Sequence, residues 1–131
     1  MRSETPFELD GDLIVVDARV VGTSGQADIR LVLDTGAVLT TLVPSIAEAI
    51  GYTSAARVAR TVVRTAAAVE HGYIVRLASL TTLGFTVPDV YVDVADLGHD
   101  IDGVLGMNFL LDFNVEIRPA ERRILVENLV P

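Results

Sequence analysis

The sequence has no cysteine and no tryptophan, and few aromatic residues of any kind: three tyrosines and four phenylalanines in 131 positions. Without a thiol, disulfides, thiolate nucleophiles and cysteine-based metal sites are all excluded. Positive charge is short as well. Ten Lys and Arg against 18 Asp and Glu leave a net charge of -8 and a pI near 4.5, whereas a nucleic-acid binder needs a basic face to neutralise phosphates. No nucleic-acid partner is therefore expected. No apolar run reaches the roughly 18 residues that a membrane-spanning helix needs. The opening MRSETPFELDGD holds no apolar stretch of the kind a secretory signal carries, so the expectation is a cytoplasmic protein without a membrane span.

What is present is short-range apolar patterning. Half of the residues are hydrophobic and 21% are charged, the balance of a chain that folds. The length suits one domain, residues 1–131, because two would each be too small to bury a core. Val-rich runs between turn residues read as strands. Residues 13–21 and 27–33 form a predicted hairpin around a turn at 22–25. Pro44 opens a short helix over 44–50, with Gly51 just beyond its end. Strands are expected at 58–63, 73–80, 86–94 and 101–105, with a small-residue connection at 65–72. A second short helix is expected at 106–113, then a hairpin of 115–117 and 124–130 around a turn at 119–122. The fold class is all-β with one or two short helices.

Two segments carry chemistry. The first is Leu31-Val32-Leu33-Asp34-Thr35-Gly36-Ala37, a carboxylate at the end of an apolar strand. There solvent should be scarce, Thr35 has a hydroxyl with which to fix the loop, and Gly36 permits close backbone approach. Taken alone, Asp34-Thr35-Gly36 is equally well read as a turn, since Asp and Gly are turn formers. The second segment lies about seventy residues on: Ile101-Asp102-Gly103-Val104-Leu105-Gly106-Met107-Asn108-Phe109-Leu110. Together they resemble the retropepsin-like family of aspartic peptidases, in its single-domain bacterial form. In that family an Asp-Thr/Ser-Gly-Ala/Ser loop follows a hydrophobic strand, and a hydrophobic-hydrophobic-Gly strand packs beside it before a short helix. Here those positions are Asp34-Thr35-Gly36-Ala37 and Val104-Leu105-Gly106, with Thr40 and the 44–50 helix also alike.

The resemblance implies a half-barrel acid-protease fold in a two-fold symmetric homodimer. It also implies an aspartic endopeptidase acting on peptide or protein substrates, with no cofactor and no metal. Such catalysis uses two carboxylates sharing a proton around one water. Unit charges about 4 Å apart interact by roughly 4 kcal/mol at an effective dielectric near 20. That is about three pKa units, so a pair holds one proton over a wide pH range. The chain has one Asp-Thr-Gly, so symmetry would have to supply the second Asp34. Asp34, Thr35 and Gly36 are the implied catalytic residues, Thr35 bonding across the axis. Ala37, with Ala66, Ala67 and Ala68 of the flap region, would line the substrate cleft. Terminal strands would join between subunits, with 124–130 as a candidate.

The alternative is a dimeric peptide-binding or assembly module on the same fold with little or no proteolysis; alanines where a flap tip usually has glycine favour it. His99 with Asp96, Asp100 and Asp102 reads as a solvated loop and not as a metal cluster, and His71 as a surface residue. Ser24 and Ser45 lie in no nucleophile-elbow context. Gly22-Thr23-Ser24-Gly25 lacks the Lys and helix of a phosphate loop.

Overall fold

Apolar residues at every second position need a partner strand on each side, and the computed structural model supplies them; it describes residues 1–64, 69–98 and 100–129. The strands in chain order are β1 (Arg2–Pro6), β2 (Glu8–Asp10), β3 (Leu13–Val21), β4 (Gln26–Leu33), β5 (Thr41–Leu42), β6 (Ala59–Arg64), β7 (Val69–Thr82), β8 (Phe85–Val94), β9 (Gly103–Leu105), β10 (Asn114–Arg118) and β11 (Arg123–Glu127). Two short helices interrupt them, α1 (Pro44–Ala49) and α2 (Met107–Leu110). The fold is mostly β, as the patterning predicts. No helix among the described residues is long and apolar enough to cross a membrane.

The larger sheet runs β2-β3-β4-β9-β5-β8-β7-β6, and β3 also pairs with β7. That extra pairing rolls the sheet so that its apolar face encloses the core. Val16 and Leu31 face one another across the β3–β4 ladder, as do Ala18 and Ile29, and all four are buried. Val75, Leu77, Leu42 and Leu105 meet them from other strands, and Phe109 of α2 closes one end, fully buried. Phe109 also stacks on Phe113 with ring centroids 5.2 Å apart, a separation at which aromatic pairs attract.

The order β4-β9-β5 matters most. β4 and β5 are consecutive along the chain, yet β9 lies between them, parallel to β4 and antiparallel to β5. The link from β4 to β5 must therefore pass round the end of β9. There is space only because residue 106 lacks a side chain. A Cβ on Gly106 would lie 2.6 Å from the carbonyl carbon of Leu39 and 2.8 Å from the amide nitrogen of Thr40.

The smaller sheet corrects one expectation. Segment 124–130 was the candidate strand for an intersubunit sheet, but β11 is paired on both edges within its own chain, by β1 and by β10. The free edges belong to β1 and β10. No strand is expected from Arg2-Ser3-Glu4-Thr5-Pro6, which has no apolar face. It is recruited by its partner: Ser3 lies opposite Val126 and Thr5 opposite Ile124. Arg2–Glu127 at 2.8 Å and Arg123–Glu4 then pair on the outer face, where solvent screening leaves exposed ion pairs little to contribute.

The tight crossing at Gly106 yields a direct test. Gly106→Ala should lower stability by about 1–3 kcal/mol, the usual cost of overpacking against unyielding backbone. It would appear as a lower urea midpoint with an unchanged slope. A midpoint equal to wild type would show that the crossing is looser than described.

Candidate active site

The loop that rounds the end of β9 carries Asp34. Its amide N–H still donates to the Leu105 carbonyl at 3.0 Å, extending the β4–β9 ladder by one step. The chain then turns. Ala37 N–H donates to the Asp34 carbonyl at 3.2 Å, and Gly36 N–H donates to Asp34 Oδ1 at 2.8 Å. One carboxylate oxygen is thus oriented by backbone, and the other has no hydrogen-bond partner among the described residues.

The far side of the loop is held by α2. The first N–H groups of a helix have no partner inside it. Here Met107 N–H donates to the Ala37 carbonyl at 2.7 Å and Asn108 N–H to the Val38 carbonyl at 3.0 Å. Asn108 Oδ1 accepts from both the amide and the hydroxyl of Thr40, at 2.8 and 2.9 Å. Its Nδ2 donates to the Tyr91 carbonyl at 2.7 Å. The Thr40 hydroxyl oxygen in turn accepts from Gly106 N–H at 3.0 Å. Thr40 is fully buried, so each of these bonds replaces water that cannot enter. Asn108 is the residue that sequence reasoning passed over. Its place two residues after Gly106 is visible in the sequence, but nothing local shows that its amide meets Thr40, 68 residues away.

Two expectations about the loop need correction. Asp34, Thr35 and Gly36 are exposed in the single chain, not in a place where solvent is scarce. No element among the described residues covers the loop. Nor does Thr35 fix the loop. Its hydroxyl has no hydrogen-bond partner among the described residues, and Gly36, Thr40 and Asn108 hold the turn instead.

Beside Asp34 opens a cavity of about 560 Å³, lined by Ala37 and Leu39 from the loop, Thr61 and Val62 from β6, and Asp93 from β8, among others. The structure brings Ala37 to this cleft as expected. Ala66, Ala67 and Ala68 lie outside the described residues, as do His99 and Val130. The neighbouring acids have local tasks. Asp102 Oδ2 accepts from Arg30 N–H at 2.9 Å, and Asp96 Oδ1 accepts from Gly98 N–H at 2.9 Å. His71 is exposed on β7. A second hollow of about 550 Å³ lies on the outer face of the β1–β11–β10 sheet. Its charged residues, such as Arg2 and Glu127, pair with one another.

Comparison with known proteins agrees with this geometry. A sequence model of the aspartyl protease family matches residues 16–109, a span from β3 to α2 that contains both Asp34 and Gly106. No curated relative matches the chain. Among solved structures, a retropepsin-like aspartic protease from Rickettsia conorii superposes with a TM-score of 0.74 at 20% identity, over 98% of this chain and 92% of that one. The retroviral protease-like domain of Ddi1 from Leishmania major gives 0.59 at 16% identity, over 91% and 94% of the two chains. The aspartic proteinase from Irpex lacteus gives 0.59 at 18% identity, over 98% of this chain but 47% of that one. At such identities the likeness establishes the architecture, and the family match supplies the kinship. The chain belongs to the aspartyl protease family and has the retropepsin-like fold.

Proposed function

We propose that the chain, residues 1–131 acting as one domain, is an aspartic endopeptidase whose active site is completed by a second copy of itself. The observation that carries this reading is Asp34. It is a carboxylate oriented by its own loop, exposed on one side, and set at the mouth of a cleft in a fold of aspartyl proteases. A partner related by a two-fold axis beside the loop would cover the exposed face and bring in the second carboxylate. The free Thr35 hydroxyl suits a bond across that axis. The match to 47% of the Irpex lacteus enzyme accords with a molecule that needs two such chains.

In that dimer one Asp34 is ionised and accepts a proton from the bound water as its oxygen attacks the scissile carbonyl carbon. The other, protonated, donates a hydrogen bond to the carbonyl oxygen. Collapse of the tetrahedral intermediate breaks the C–N bond, and the proton passes to the leaving amine. Substrate lies extended along the cleft beside Ala37, with Ala66, Ala67 and Ala68 proposed to cover it. No cofactor or metal takes part.

Two measurements test this. Asp34→Asn should reduce cleavage of a mixed peptide library by at least roughly 10²-fold, the share of a general acid–base pair, while leaving the dimer intact by sedimentation. Cleavage that survives the substitution would refute the mechanism, and no cleavage by a confirmed wild-type dimer would favour a binding module instead. Since each site draws on two chains, specific activity should also fall on dilution below the dimer dissociation constant. Activity proportional to chain concentration throughout a dilution series that passes from dimer to monomer would exclude a shared site.

A further inference from the structure

The cleft holds another carboxylate that the proposed mechanism does not use. Asp93 lies in β8 beside Asp34 in the lining of the 560 Å³ cavity, yet only 6% of its surface is exposed. Its Oδ1 accepts from the Thr61 hydroxyl at 2.6 Å. Space for that bond comes from Gly72 on β7, where a Cβ would fall 2.8 Å from Asp93 Oδ1 and 2.7 Å from Thr61 Oγ1. Strand alternation would place an Asp between Val92 and Val94 on the outer, solvated face. Instead residues 92–95 are all buried, and the carboxylate faces the cleft.

What this carboxylate lacks is a counter-charge. None of the ion pairs among the described residues involves Asp93. No buried polar side-chain atom among the described residues is left without a hydrogen bond, and Oδ2 has no partner among them, so Oδ2 opens onto the cavity. One hydroxyl does not offset the cost of withdrawing an ionised carboxylate from water. A cation arriving from the cleft would. Asp96, exposed at the rim of the same cavity, adds a second negative charge on the way in. Leu39, Val62 and Leu97 give the walls apolar surface for the methylene stem of a long side chain.

We infer that Asp93 determines specificity, selecting substrates with an arginine or lysine side chain that reaches past Asp34 to its Oδ2. This rests on the peptidase reading above and adds the substrate class to it.

The test uses paired extended peptides that differ only by arginine or citrulline, a neutral near-isostere, at successive positions around the cleaved bond. At one position the wild-type kcat/KM should favour arginine by at least about tenfold, the scale of a charge-assisted bond out of water. Asp93→Asn keeps the oxygen that accepts from Thr61 and should bring that ratio close to one. Asp96→Asn, at the solvated rim, should change it less. Equal kcat/KM for both peptides at every position in wild type, or a preference that survives Asp93→Asn, overturns the inference and leaves the peptidase reading standing. The same pairs are titrated by fluorescence anisotropy into Asp34→Asn protein, with and without Asp93→Asn. Arginine-selective binding that Asp93→Asn removes, in a protein whose wild type cleaves nothing, supports the pocket and refutes only the peptidase reading. Binding that ignores the charge overturns the inference whether or not cleavage occurs.

Discussion

Everything at the site depends on one contact, the passage of Leu39 and Thr40 across the bare Cα of Gly106. β9 can lie between two strands that are neighbours in sequence only if the chain linking them slips over its end, and only a glycine leaves room. The crossing buries the Thr40 hydroxyl, and burial obliges it to find partners. It finds Asn108 and the Gly106 amide. Those bonds tie α2 to the loop, and α2 supplies N–H groups to the Ala37 and Val38 carbonyls. Asp34 is therefore positioned by a chain of requirements that starts from steric exclusion, with no charged group among the described residues holding it.

Much of this was legible beforehand, and the reasons differ by element. The β3–β4 hairpin declared itself because a Val-rich run precedes a turn bounded by Gly22 and Gly25. The Asp34 loop and the Gly106 strand were recognisable as a pair because each is short, contiguous and chemically unusual. β1 was not legible. Its half-buried residues are Ser3 and Thr5, so its strand character comes from Val126 and Ile124 more than a hundred residues away. Its presence then moved β11 from a free edge to the middle of a sheet. Asp93 was hidden for the opposite reason: a period-two pattern assigns it to solvent, and the curvature that buries four successive residues is a tertiary property. The exposure of Asp34 and the idle hydroxyl of Thr35 also escaped, since a loop's covering depends on what else is present.

The cleft and the loop represent two ways of handling a carboxylate. Asp34 stands in the open, with one oxygen held by an amide of its own turn. Asp93 is enclosed, with one oxygen held by a hydroxyl and the side chain opposite deleted to make room. An exposed group can be reached by solvent and by a second chain; an enclosed one meets only what enters the cavity. Having both in one cavity would, on the readings proposed above, separate the work of reacting from the work of choosing.

The pairing of β1 with β11 has a kinetic meaning as well. Arg2 and Glu127 are 125 residues apart in sequence, so their ladder closes almost the longest loop the chain can make. Loop-closure entropy rises with length, and pairings of this range slow folding. The crossing at Gly106, by contrast, joins segments within the interior of the chain and needs neither terminus. Ile124 and Val126 of β11 are nonetheless fully buried in the common core, so parting the ends would open that core to water as well as undo the ladder.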